Sequence, residues 1–324
     1  MKSNVLLCII TGLSISFLVS QQRVDAAGQS LSVYPPVIEI QTEPPSSPSV
    51  PIVIHNNNTE DVMLKIELIP IKQLGEAGDI TIVPELSEKG FYKYYKDKVQ
   101  LLLEGKKVST IELQALESKE LELNVNLAKG DPPGDFYYAV TFISSGSGPS
   151  ETSIVKIPNG IGTNLLLSIG PKDRSTGGIS QFRTSNFTSK GPVDFEIRLH
   201  NASKHLIQPT GRIEITNIFG SKQGIIEILP QYVLAGSDRY LVDTIQNSDE
   251  AKKLNDTEQI PKVVWPEKFL LGMYKAKAII QLEANGPTIE AVTYFFAFPL
   301  YLFIPLVIII FSILGIYLKV RKKI

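Results

Sequence analysis

Cysteine is nearly absent: Cys8 is the only one in 324 residues, and it lies in an apolar run near the N-terminus. If that run is removed as a signal, the mature chain has no thiol, which excludes disulfides and thiolate metal centres. Histidine is scarce as well, with His55, His200 and His205 the whole set. So few imidazoles and no mature thiol leave little material for acid–base or nucleophilic catalysis. The sequence also has no Gly-x-Ser-x-Gly elbow, His-Glu-x-x-His pair, phosphate loop or Rossmann glycine fingerprint. Paired carboxylates such as Glu120 and Glu122 fall on the solvent side of an alternating stretch, where charge is ordinary. The expectation is a protein that is not an enzyme and uses no cofactor or metal.

Charge is missing from one long stretch. The 28 residues Ala291 to Leu318 carry none, and the six that follow hold Lys319, Arg321, Lys322 and Lys323. A bilayer core needs about 20 apolar helical residues, and Leu300 to Leu318 comes close alone. Tyr294, Phe295, Phe296, Phe298 and Tyr301 crowd one end, Tyr317 marks the other, and Pro299 and Pro305 sit near the entry. These features predict a transmembrane helix over 294–318, with the basic tail 319–324 on the cytoplasmic side. At the other terminus, Lys2 precedes an apolar run from Val5 to Val19, and Val24-Asp25-Ala26 suits cleavage after Ala26, giving a signal peptide over 1–26. A retained N-terminal anchor is the alternative. Either way the chain is expected at the cell membrane, single-pass, with its N-terminal part extracellular or periplasmic.

Without Lys2, Arg23, Asp25 and the four C-terminal cations, 26 basic residues face 32 acidic ones, a net of −6. An acidic surface is poorly suited to nucleic acid.

Between the two ends the chain reads as strand after strand. In Leu121-Glu-Leu-Asn-Val-Asn-Leu127 the apolar residues share one face and the polar ones the other. Asn56-Asn57-Asn58, Asp131-Pro132-Pro133-Gly134 and Gly146-Ser147-Gly148-Pro149 supply turns between such segments. The fold class expected is all-β, with two tandem immunoglobulin-like sandwiches before the C-terminal helix. Their bounds are 27–157 and 163–293, joined by a short linker at 158–162. Glu85 to Lys98, rich in Lys, Glu and Tyr, is read as a short helix or an excursion between strands.

Two landmarks recur. Ile52-Val-Ile-His-Asn-Asn-Asn58 is matched by Ile197-Arg-Leu-His-Asn-Ala-Ser203, and Gly134-Asp-Phe-Tyr-Tyr-Ala139 by Gly272-Met-Tyr-Lys-Ala276. Recurrence in one order at nearly one offset points to a duplicated sandwich. His55-Asn56 and His200-Asn201 are read as strand ends entering polar turns, since Asn bonds its own turn. Metal ligation by the histidines lacks a second ligand at suitable spacing. Gly134 and Gly272 suit tight turns into late strands. Tyr137 or Tyr138, and Tyr274, are read as buried rings that bond backbone at the sandwich end; exposed contacts for a glycan or peptide are the alternative.

The pattern Pro209-Thr-Gly-Arg-Ile-Glu-Ile-Thr-Asn-Ile-Phe-Gly220, then Ile228-Leu-Pro230 and Gly272-Met-Tyr-Lys-Ala276, resembles bacterial membrane-anchored surface proteins with two immunoglobulin-like domains. The WxL-interacting proteins of Gram-positive bacteria are the named relatives. The resemblance implies binding of peptidoglycan or of a partner surface protein, and carries over no individual residue role. The reading that follows is a surface scaffold or adhesion protein whose partner is a cell-envelope protein or a wall polymer. The alternatives are a membrane-tethered assembly chaperone for exported proteins and an accessory subunit of a membrane complex. A chaperone would need an open edge strand and basic residues at the domain junction, for which Lys156, Lys172 and Arg174 are the candidates.

Overall fold

In strand β9 (Ser118–Val125), Leu121, Leu123 and Val125 are fully buried while Glu120 and Glu122 face solvent, so the two-residue alternation becomes a sheet with one dry side. The same logic runs through the computed structural model, which describes residues 31–144, 160–244 and 260–321. Its first eleven strands are β1 (Leu31–Tyr34), β2 (Val37–Thr42), β3 (Ser49–Asn56), β4 (Val62–Leu74), β5 (Asp79–Ile82), β6 (Val99–Leu103), β7 (Lys106–Lys107), β8 (Thr110–Leu113), β9, β10 (Gly134–Ser144) and β11 (Gly160–Ile169). They form two facing sheets, one ordered β1-β3-β9-β6-β7 and the other β2-β11-β10-β4-β5, with β8 also on β4. The stretch after β5 coils into a 3₁₀ turn (Pro84–Leu86) and helix α1 (Gly90–Lys96), which sends Tyr95 into the core.

The second group is β12 (Gly177–Arg183), β13 (Phe187–Thr188), β14 (Val193–Asn201), β15 (Thr210–Asn217), β16 (Lys222–Ile228), β17 (Asp238–Tyr240), β18 (Val263–Trp265), β19 (Gly272–Gln281) and β20 (Thr288–Ala297). One sheet pairs β14 with β12, β17 and β18; the other runs β13-β20-β19-β15-β16. The two groups share a wiring plan. β1 on β3 corresponds to β12 on β14, and β2 parallel to β11 corresponds to β13 parallel to β20. The order β11-β10-β4-β5 corresponds to β20-β19-β15-β16. These parallel pairs make the sheets mixed.

Each sandwich closes over its own core. The first packs Phe136, Tyr138, Val140 and Phe142 against Ile52, Ile54, Leu121 and Leu123. The second packs Phe195, Trp265, Tyr274 and Phe295, with Tyr274 and Phe295 stacked at 5.1 Å.

Three expectations change. The linker expected at 158–162 overlaps β11, which pairs with β10 from Gly134↔Ile169 to Ile143↔Gly160. The first sandwich therefore runs to Ile169, and the connection to the second is the stretch 170–176. β11 escapes a sandwich pattern because Leu165, Leu166 and Leu167 are all buried, leaving no solvent face to alternate with.

The transmembrane helix over 294–318 is also corrected. Residues 294–297 belong to β20, paired with β19 through Gly272↔Ala297, so the uncharged run is divided between a sheet and a helix. Helix α2 spans Leu300–Arg321 with Pro305 inside it. Among the described residues no helix is long and apolar enough to cross a membrane. The single-pass placement at the cell membrane falls with it, and Lys319 and Arg321 are positions of α2. The signal peptide at 1–26, Lys156, and Lys322 and Lys323 lie outside the described residues.

Candidate functional site

β10 and β11 are dry on both faces because the second sandwich covers the outer one. Tyr137, Ala139, Leu166 and Ile71 pack there against Leu206 and Leu234, flanked by Val37, Ile82 and Tyr232. Polar bonds fix the contact. The Leu206 amide donates to Asp135 Oδ2 at 2.7 Å, the Tyr137 hydroxyl donates to the same oxygen at 2.9 Å, and the Ala235 amide donates to the Tyr137 oxygen at 3.3 Å. Burial, together with the Asp135 charge, pushes the Tyr137 phenol well above its ordinary value.

On one flank the β4–β5 hairpin reaches over the second sandwich as a clasp. Arg198 Nη1 sits 2.6 Å from Glu76 Oε1, the Tyr240 amide donates to the Glu76 carbonyl at 2.7 Å, and the Gln73 amide donates to the Asp238 carbonyl. The Arg239 guanidinium lies directly over Gly78, whose φ of 93° suits glycine and where a Cβ would strike the guanidinium. Arg239 Nη1 donates to the Tyr232 carbonyl at 2.7 Å.

On the other flank, Lys172 Nζ lies 3.9 Å from Glu39 and 3.6 Å from Glu283, one carboxylate from each sandwich. The Tyr232 hydroxyl donates to Glu39 Oε2 at 3.0 Å, and burial pushes that phenol up to about 12, with Glu39 adding to the shift. Ser175, His205 and Glu283 meet nearby, with His205 Nε2 3.3 Å from Ser175 Oγ. Yet the Ser175 hydroxyl donates to Glu283, so its proton is held by the carboxylate and the trio lacks the base-to-nucleophile relay of a hydrolase.

Between the flanks lies a cavity of about 270 Å³. Val37, Ile80, Leu166 and Leu234 give it apolar walls, Gln73, Asn164 and Gln231 add amides, and Arg239 is its one charged lining group.

The landmark residues scatter over the molecule. His55 closes β3 with Nδ1 2.8 Å from Ser118 Oγ, and His200 lies in β14 with Nδ1 3.3 Å from Asp238 Oδ2. Asn56 and Asn201 are fully buried at their strand ends. Gly134 and Gly272 open β10 and β19. Tyr138 is buried in the first core and donates to the Tyr92 carbonyl at 2.7 Å, whereas Tyr274 accepts from the Leu271 amide at 3.1 Å. Of these, Tyr137 lies in the domain junction itself; His200 reaches it through Asp238, whose carbonyl takes the Gln73 bond, and Asn201 through the Leu234 carbonyl. Among the described residues no group of three or more His, Cys, Asp or Glu side chains could hold a metal ion. Arg174 is exposed, and Lys172 is spent on its two carboxylates.

Sequence reasoning passed over Glu76, Gly78, Arg198 and Arg239. The only signal was the turn-rich Gly75-Glu-Ala-Gly78 between two apolar runs, which marks a hairpin but says nothing of where it lands.

No family model matches this chain, and no curated protein does. Solved structures of fimbrial chaperones are similar to it. The chaperone–tip adhesin complex of CFA/I fimbriae shares 12% identity over 82% of this chain and 98% of that chain, at a TM-score of 0.39. The class 5 fimbriae chaperone CfaA shares 13% over 82% and 99%, at 0.36. The E. coli chaperone DraB shares 12% over 81% and 96%, at 0.32.

Proposed function

We propose that this chain is a non-enzymatic protein that holds an extended segment of a partner protein along the open edge of β2, beside the junction of its two sandwiches. One observation carries the reading. Among the described residues β2 is bonded on one side only, parallel to β11, with the Asn164 amide donating to the Pro36 carbonyl and the Gly170 amide to the Thr42 carbonyl. Even-numbered residues therefore bond to β11, while the amides and carbonyls of Val37, Glu39 and Gln41 point away from it. An unpaired row of this kind is a template for another strand. Other edges are less suitable. β12 is broken by a register shift between Ile179 and Gln181, β1 is four residues long, and the end of β16 is bridged to Asp243.

This reading favours a protein partner over a wall polymer, because the edge offers backbone donors and acceptors at strand spacing. It is the assembly-chaperone form of binding rather than simple adhesion. One of the structures named above is a complex of a chaperone with a tip adhesin; the edge strand, and not that likeness, supports the proposal.

The test is a Gln41→Pro variant. Its ring removes only an outward amide and blocks strand addition, whereas Ile40→Pro would break the bond to β11. With a photocrosslinker at Glu39, the unaltered edge should capture a segment of one partner class, and Q41P should abolish capture while retaining its unfolding midpoint. Undiminished capture by folded Q41P would overturn the edge as the binding site. Many unfolded clients among the captured proteins would mark a chaperone, and one stoichiometric partner a scaffold.

A further inference from the structure

The cavity at the domain junction is unfinished as a piece of packing. Arg239 Nε and Gln231 Oε1 are both buried and find no hydrogen-bond partner among the described residues, and both residues line the cavity. A buried donor and a buried acceptor left open are each unfavourable, and these two belong to residues that line one cavity, where a small turn of either side chain brings it to an occupant. Arg239 makes one hydrogen bond, to the Tyr232 carbonyl, and no ion pair among the described residues. The other arginine at the junction, Arg198, has its carboxylate in Glu76.

We propose that this cavity binds a carboxylate carried on a short apolar body that also bears one O–H or N–H donor. The guanidinium takes the carboxylate, its fork geometry suiting two oxygens. A small turn of the Gln231 amide brings Oε1 to the donor. Val37, Ile80, Leu166 and Leu234 enclose the apolar part. At about 270 Å³ the space fits a group of side-chain size and lies just under the usual range for larger ligands of roughly 300–1,000 Å³. Burial pushes the Arg239 guanidinium below its ordinary value, with Asp79 opposing; the group stays protonated, and a counter-ion inside the cavity offsets the cost of burying its charge. Because its walls come from both sandwiches, the occupant joins them. The proposal stands on the cavity and is independent of strand addition at β2.

A free hydroxy acid and an acidic side chain of a bound peptide present the same chemistry, and two probes separate them. The first is 2-hydroxy-4-methylpentanoate, with its neutral amide as control. The second is a blocked Leu-Glu-Leu tripeptide, with Leu-Gln-Leu as control. Calorimetry and thermal midpoints on the intact chain should show one of the acids binding and its neutral partner not. Arg239→Gln should weaken the acid about tenfold or more. Gln231→Glu supplies an internal carboxylate to Arg239; it should raise the midpoint and abolish acid binding, so the proposal remains testable even if R239Q does not fold. Binding of neither acid at millimolar concentration, equal binding of acid and amide, or undiminished binding in folded R239Q or in Q231E would overturn it and leave ordered water as the occupant.

Discussion

Asn56 and Asn201, 145 residues apart, make the same bonds in the two sandwiches. Each donates its side-chain amide to the carbonyl four residues on, Glu60 at 2.8 Å and His205 at 2.9 Å. Each donates again across the fold, to Gln114 at 2.9 Å and to Val233 at 3.0 Å. Each accepts the amide two residues on, from Asn58 at 3.1 Å and from Ser203 at 2.9 Å. Both sit at the end of the strand that pairs with the first strand of its sandwich, β1 or β12. A shared wiring plan with the same buried amide at the same corner is the physical form of the repeat.

Asn201→Ala should therefore be costly. It takes the partner from the His205 carbonyl and from the Ser203 amide inside the second sandwich, while the Val233 and Leu234 carbonyls keep the amides of Ile207 and Ser237. Urea unfolding should show a loss of about 3 kcal/mol, against less than about 0.5 kcal/mol for the exposed Asn57→Ala. A loss below about 1 kcal/mol for N201A would show that water replaces the amide.

The two sandwiches are held by apolar contact more than by charge. Leu166 is 2% exposed, and Leu166→Ala should destabilise by about 2–4 kcal/mol and separate the unfolding transitions of the halves. Arg198 and Glu76 have side chains 28% and 40% exposed, so Arg198→Ala should cost less than about 1 kcal/mol. Two-domain calorimetry distinguishes these outcomes; a larger effect from R198A than from L166A would reverse the ranking.

Acid should loosen the first sandwich at Asp131. Burial raises this carboxyl, but bonds from Lys98 at 2.7 Å, Tyr94 at 2.6 Å and the Ala128 amide at 2.9 Å outweigh that and hold it below the ordinary value. A depressed folded value means that the unfolded chain binds the proton first as pH falls. The contribution is thus whole above the ordinary carboxylate value, about 4, and fades as pH drops through the folded value. Asp131→Asn should flatten that part of the stability–pH curve measured by urea unfolding, and an unchanged slope would remove Asp131 as its cause.

Strands with one wet face were legible in sequence, as Leu121, Leu123 and Val125 show, because alternation survives when only one side is packed. The strands at the junction were not. Leu166 and Tyr137 face a second domain, so their segments read as continuous apolar runs and β11 was placed after the boundary it precedes. The run from Ala291 to Leu318 misled in the opposite direction. Its first residues alternate between a packed core, at Phe295 and Ala297, and exposed aromatics, at Tyr294 and Phe296, and hydropathy does not separate a strand carrying exposed aromatics from the start of a long helix. The candidate site was illegible for a different reason. Gly78 is far in sequence from Gln231 and Arg239, all three are ordinary in composition, and only the clasp brings the glycine to the other two.

That clasp has a consequence for the order of events as the chain is made. The β4–β5 hairpin emerges more than a hundred residues before Arg198 and Asp238, its partners in the second sandwich. Closing such a span is entropically slow, since long-range contacts form only after the intervening chain has been gathered in. During N-to-C synthesis the first sandwich can therefore assemble its own core, yet must wait with Tyr137, Leu166 and Ile71 uncovered until residue 240 has appeared. Throughout that interval its face is an adhesive surface in search of a lid, and the speed of elongation sets how long it stays so.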